Sequence, residues 1–288
     1  VHNPFVPETH EGWSALHLMF RVDWAGLSAA RPGERDQMAV EVATALAAGV
    51  AGPSDGATAI VQLLGHKGDL MLIVFRRSFD DLGRAELALA RTRLHAFLEP
   101  TYSYVSIVEL GMYEMTAKIH RQLRAQGFVP DTDAYNGAFD QEMERQRQRV
   151  SSRLFVAIPT SRHVCFYPMN KRRGEVVNWY SEPFDRRAEM MLEHGKVGRE
   201  FAGRVTQIIS GSIGFDDWEW GVDLFADDPV TFKKLIYEMR FDEASARFAE
   251  FGPFYIGLQF SMSELATFLA GDLPPALPPA APPAVDGE

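Results

Sequence analysis

Residues 13–24 alternate in polarity, with Leu16, Leu18, Phe20 and Val22 on one face and His17, Arg21 and Asp23 on the other. That is the pattern of a half-buried strand. Over residues 32–50, beginning at Pro32, the period becomes helical and gathers Met38, Val42, Ala45 and Leu46 on one side. Two strand-like runs follow, 59–65 and 69–76, joined by a turn at His66, Lys67 and Gly68. A second helix is predicted over 80–98 and a fourth strand over 102–112. The order β-α-β-β-α-β is the ferredoxin-like unit.

The second half repeats that order without obvious residue-level similarity. Residues 153–168 read as one or two strand segments with a turn near Ser161, and 183–204 as a helix. Strands are predicted over 206–213 and 217–226. A helix then opens at Asp227, Asp228 and Pro229, where an aspartate caps the first turn and proline suits its start. Residues 254–261 form the last strand. The expected class is α+β: two ferredoxin-like βαββαβ units in one chain, their sheets face to face in a dimeric α+β barrel-like core with helices outside. The halves are 10–113 and 153–270. Residues 114–152 form a long, polar, helix-prone connection with a loop at 127–137, and 271–288 a Pro/Ala-rich tail expected to be extended and disordered.

Composition narrows the function. The chain of 288 residues is 46% hydrophobic and 24% charged, as in a soluble globular protein. It has no apolar run of membrane-spanning length, and its first residues lack the basic and apolar regions of a secretory signal. The single cysteine, Cys165, rules out an internal disulfide and points to a reducing cytoplasm. A net charge of −10 argues against nucleic acid as partner, and an anionic small molecule would need a local basic cluster.

Nucleotide-binding, zinc-hydrolase, CxxC and serine-hydrolase signatures are all missing, and the eight histidines have no zinc-like spacing. What remains is the run from Cys165 to Arg173. Strand alternation sets His163, Cys165, Tyr167 and Met169 on one face, with Val164 and Phe166 on the other. Lys171, Arg172 and Arg173 follow. This pattern fits either a core tyrosine before a solvated basic loop or a redox tyrosine beside a carboxylate-holding site. His194, on the helix beyond, is either a structural histidine or the single protein ligand that a haem-type iron needs. Gln207 could face the other side of a flat ligand.

The stretch Phe166-Tyr-Pro-Met-Asn-Lys-Arg-Arg-Gly-Glu-Val-Val-Asn-Trp-Tyr180 resembles the coproheme decarboxylases of the chlorite-dismutase-like family. So do residues 214–229, 233–245 and 251–257, and the similarity is nearly continuous from about 153 to 257. In the first half, 102–110 is the best stretch. The resemblance implies a peroxide-dependent oxidoreductase that turns two propionates of ferric coproheme into vinyl groups, giving haem b through a tyrosyl radical. Its redox tyrosine falls on Tyr167, the companion lysine on Lys171, the proximal iron ligand on His194 and the distal residue on Gln207. Arg153, Arg240, Ser245 and Tyr113 fall on groups that hold the porphyrin carboxylates, and Met169 on the pocket wall near the reactive propionate. The family also implies a homopentamer and a transient contact with coproporphyrin ferrochelatase. The connection between Tyr113 and Arg153 is longer than the family pattern. Rival expectations are a chlorite dismutase, disfavoured because Gln207 stands where that activity has an arginine, a non-catalytic haem or porphyrin carrier, and an unrelated activity on the same architecture.

Overall fold

The computed structural model describes residues 6–278 except Pro32. Pro32, expected to open a helix, and the tail beyond residue 278 lie outside the described residues.

The first half contains β1 (Thr9–Val22), α1 (Trp24–Ser28), α2 (Glu34–Ala47), β2 (Gly56–Leu63), β3 (Leu70–Arg76), α3 (Phe79–Ala90) and β4 (Leu98–Gly111). Two helices connect the halves, α4 (Tyr113–Ala125) and α5 (Asp133–Leu154). The second half contains β5 (His163–Lys171), α6 (Phe184–Glu200), β6 (Thr206–Gly211), β7 (Trp220–Ala226), α7 (Val230–Met239), α8 (Glu243–Ala246), β8 (Ala249–Phe251), β9 (Tyr255–Phe260) and α9 (Leu265–Leu269). None of the described helices is long and apolar enough to cross a membrane.

Each half carries the expected unit. Strand order is β4-β1-β3-β2 in the first and β6-β7-β5-β9 in the second, and β4–β6 and β2–β9 pairings join them. With β5 paired to β7 the sheet closes on itself, leaving β8 beside the far end of β5. Closure leaves little unpaired edge. The interior is filled by Trp13, Met19, Val61, Ile73, Phe75, Tyr104, Val164, Phe166 and Phe225 among others. Outside, α2, α3 and α9 cover the first half around Leu18, Val42, Leu72, Leu89 and Phe268, while α6 and α7 cover the second.

Polar pairs interrupt the interior, among them one between the halves. His17 on β1 is fully buried, and its Nε2 lies 3.0 Å from both carboxylate oxygens of Asp223 on β7. Phe166 stacks on the imidazole at 4.2 Å. The pair bridges the two halves across the barrel.

Three expectations are corrected. The helix expected over 80–98 ends at Ala90 and continues as a 3₁₀ turn, Arg93–Phe97, because β4 already begins at Leu98. The loop expected at 127–137 is shorter: Thr132 caps α5 through Tyr135 N–H, and Gly137 lies inside that helix. Residues 153–162 are not a strand. Arg153 belongs to α5, and the following segment lies irregularly against the barrel interior through Phe155, Val156 and Ile158. Trp13 Nε1 donates to the Val156 carbonyl at 3.0 Å, the Trp13 and Phe155 rings meet edge to face, and the Arg77 guanidinium lies against both. Farther on, Arg162 donates to the carbonyls of Pro274 and Pro275, so the start of the proline tail is docked.

The end of α5 crosses β1 at Gly12, where an added Cβ would lie 2.0 Å from the Leu154 carbonyl oxygen. Gly12→Ala is therefore expected to destabilise the fold by about 1–3 kcal/mol through overpacking. The urea midpoint at unchanged slope measures it; a loss below about 0.5 kcal/mol would mean that the crossing relaxes freely.

Candidate functional site

The outer face of the second half is set by strand register. Directly paired residues share a face. Tyr167 on β5 pairs with Val222 on β7, which pairs with Ile209 on β6; the adjacent row is Cys165, Leu224 and Gln207. The predicted alternation on β5 holds: Val164 and Phe166 enter the barrel, whereas Cys165, Tyr167 and Met169 join the apolar cluster beneath α6 and α7. Gln207 thus shares a floor with Tyr167, two strands away.

Tyr167 is almost fully buried, stacked on Phe254 at 4.6 Å and tilted against Phe251 at 5.7 Å. Burial drives its phenol pKa well above the ordinary value, so the ring is neutral. Arg240, at the end of α7, lays its guanidinium over Phe251 at 5.2 Å. Met169 pairs with Phe251 along β8 and packs in the same cluster.

The basic run divides. Lys171 turns inward, donating from Nζ to the Ala244 carbonyl at 2.8 Å and lying 4.5 Å over the Trp179 ring. Burial lowers its pKa to about 8, although Asp242 and Glu219 favour the charged form. Arg173 is held by Glu219 at 3.4 Å, and Arg172 is exposed. Tyr113, the first residue of α4, accepts from Trp179 Nε1 at 3.3 Å, and burial raises its phenol pKa. Tyr113, Trp179 and Lys171 therefore form one wall.

Opposite the floor, α6 presents an inward stripe through Arg187, Met190, His194, Val197 and Phe201. Val197 and Phe201 pack in the Tyr167 cluster, which places His194 one turn earlier on the same side. His194 Nδ1 donates to Asp242 Oδ2 at 3.0 Å. Ser245 donates its backbone N–H and its hydroxyl to the same carboxylate, at 2.9 and 3.1 Å. Burial pushes the Asp242 pKa up, but the His194 and Ser245 hydrogen bonds outweigh it and hold the carboxyl below its usual value. Nε2 of His194 takes no partner among the described residues, and the side chain is 25% exposed. A carboxylate fixing one imidazole nitrogen while the other stays open is the usual arrangement of a metal-ligating histidine.

Of the predicted residues, Tyr167, Met169, Arg240 and Gln207 lie at the floor, Lys171 and Tyr113 stand beside Trp179, and His194 and Ser245 meet at Asp242, next to the Ala244 carbonyl that Lys171 holds. Arg153 stands apart, exposed in the last turn of α5. Sequence reasoning missed Asp242 and Trp179. Asp242 had a local signal, as the cap of α8, but its grip on a histidine 48 residues away did not. Among the described residues no three His, Cys, Asp or Glu side chains converge on a bare metal ion. A porphyrin iron requires only one such ligand.

A family model described as chlorite dismutase matches residues 35–260. A Natronomonas pharaonis protein named for haem binding is 46% identical over 269 residues, which are 92% of this chain and 42% of that relative. The chain thus spans less than half the length of that relative. A coproheme decarboxylase from Staphylococcus saprophyticus is 42% identical over 256 residues, covering 88% of this chain and 94% of the relative. A haem-binding protein structure from Thermus thermophilus superposes with a TM-score of 0.78 at 39% identity, covering 94% of this chain and all of that one. With a family model across most of its length and relatives this similar, the chain belongs to the chlorite dismutase family.

Proposed function

We propose that this protein oxidatively decarboxylates two propionates of ferric coproheme at the expense of hydrogen peroxide, giving haem b. One observation carries the reading: His194, its Nδ1 held by Asp242 and its Nε2 without a partner among the described residues, stands on α6 one turn from Val197, which packs in the apolar cluster of buried Tyr167. A carrier would use the histidine but would have no use for a redox tyrosine. The relatives named coproheme decarboxylase support the same choice.

Each propionate carboxylate, with one peroxide and one proton, becomes a vinyl group, one carbon dioxide and two waters. The substrate brings its own iron, which supplies the redox chemistry. His194 would hold the iron through its open Nε2, and Gln207 would offer its amide to the peroxide. Tyr167 relays the oxidation: having lost an electron and its phenolic proton, it removes hydrogen from the propionate β-carbon and is restored as the phenol. Carbon dioxide then leaves with transfer of one electron to the iron centre. Lys171, with a pKa near 8, holds a proton it can exchange near neutral pH. Arg240 and Tyr113 bind carboxylates, and Met169 lies on the floor beside the reacting group, while Arg153 stands apart from them.

The test mixes the protein with ferric coproheme, titrates in peroxide and follows products by chromatography with mass detection. Stepwise loss of two carboxyl groups is expected. Tight binding without mass loss would leave a carrier, and chlorite would be tried next. Asp242→Asn is expected to weaken binding of ferric coproheme about 10–100-fold by loosening the His194 orientation, as read by Soret titration. Unchanged affinity would remove Asp242 from the iron side.

A further inference from the structure

We propose that Glu219 is a positioning residue for Lys171, fixing the main chain from which the lysine projects and supplying a negative charge that its ammonium faces. The inference rests on the coproheme reading, in which Lys171 exchanges a proton, and deepens it. The β5–β7 ladder ends where Met169 pairs with Trp220. Continued by one residue, that register sets Asn170 opposite Glu219, and there the two side chains take over the bonding. Asn170 Oδ1 accepts from the Glu219 backbone N–H at 2.7 Å, while Glu219 Oε2 accepts from the Lys171 backbone N–H at 2.8 Å. A reciprocal pair of side-chain-to-backbone hydrogen bonds thus closes the strand end at the lysine.

Glu219 is buried, and further groups converge on it. Arg173 Nε lies 3.4 Å from Oε1. Ser212 N–H donates to the Glu219 carbonyl at 2.8 Å, which ties the β6–β7 turn to the same point. Burial, the charge of Glu219 and a hydrogen bond to it push the Tyr180 phenol above its ordinary value. One carboxylate therefore gathers Lys171, Arg173 and Tyr180, the two ends of the loop that returns to Trp179.

From this anchor Lys171 reaches the iron side, since its Nζ donates to the carbonyl of Ala244, which lies between Asp242 and Ser245. Two carboxylates favour its charged form against burial, Asp242 and Glu219. The other ionisable groups stand behind these: Arg173 and Tyr180 at Glu219, Tyr113 behind Trp179, and His194 at Asp242. Asp242 is engaged by His194 and Ser245. Glu219 is thus the carboxylate whose charge acts on the lysine without holding the iron ligand.

Glu219→Gln keeps an oxygen for the Lys171 N–H and removes the charge. Two readouts are taken across pH on the full chain. One is the NMR titration of the Lys171 side chain in protein with isotope-labelled lysine, its signal identified by Lys171→Met. The other is the decarboxylation rate under peroxide. Without the negative charge the ammonium is less favoured, so the Lys171 midpoint and the alkaline limb of the rate should both move lower by about one pH unit. Affinity for ferric coproheme should stay within about threefold of the wild type. Glu219→Asp, which sets the charge one methylene farther back, should move both part-way, and it serves as the test should the glutamine variant fail to fold. In Lys171→Met protein the limb should vanish from the residual rate, and adding Glu219→Gln should leave that profile as it is. Unmoved midpoints in folded variants, or a shifted limb that persists without Lys171, would overturn the assignment and leave the coproheme reading intact. A wild type that fails to decarboxylate coproheme would remove that reading, while the lysine titration would still decide whether Glu219 governs Lys171.

Discussion

Tyr167→Phe protein will bind ferric coproheme as the wild type does, yet under peroxide its decarboxylation will fall by roughly three orders of magnitude, ~4 kcal/mol in barrier. Binding should survive because the change removes a single oxygen. The ring keeps its stack on Phe254 and its contact with Phe251, and the hydroxyl has no hydrogen-bond partner among the described residues to leave stranded. Turnover should not survive, because phenylalanine has no O–H from which an electron and proton can leave. The same burial that keeps Tyr167 neutral requires proton and electron to depart together. Chromatography of the products, set beside a Soret titration, separates the two effects. Wild-type rates in the variant would assign hydrogen abstraction to another group.

A second large effect is expected far from the chemistry. Asp223→Ala leaves His17 without its partner inside the barrel and should cost about 3–5 kcal/mol in unfolding free energy. Replacing both residues by leucine should recover much of that loss, since well-packed apolar side chains often match a buried hydrogen-bonded pair. The four-protein cycle in urea isolates the coupling between them. A single-variant loss below about 1 kcal/mol would show that water or a rearranged neighbour satisfies the survivor. Asp223 lies between Val222 and Leu224, which floor the site, so a loosened pair should also blur the register that aligns Gln207 with Tyr167.

The fold was readable in the sequence where local periodicity and tertiary packing agree. On β5 the alternation of Val164, Phe166, Cys165 and Tyr167 named both faces correctly, because each is covered by an apolar cluster. It failed at 155–158, where Phe155, Val156 and Ile158 form an apolar run. Those side chains are half-buried, but side chains of Trp13 and Arg77 hold the segment and no neighbouring strand pairs with it. The loop was expected to run on to Gly137. The Tyr135, Phe139 and Met143 stripe packing against Ile119 and Leu123 overrides that local preference. At the site, the resemblance named individual side chains, but register was beyond it. That Gln207 sits two strands from Tyr167, or that Glu219 reaches the Lys171 N–H, follows from how β6, β7 and β5 align. No local pattern encodes that alignment.

The closed sheet also bears on how the chain reaches its native state. Its two seams are short, four residue pairs between β2 and β9 and two between β4 and β6, and they join segments far apart in sequence. Loop-closure entropy favours forming each half before the seams that unite them. In that interval β2 and β4 each present an open edge, and a matching half from another copy offers the same complementary strands as the chain's own. Ring closure is therefore a contest between intramolecular docking and exchange of halves between molecules. The link formed by α4 and α5 influences that contest by keeping the correct partner at high effective concentration.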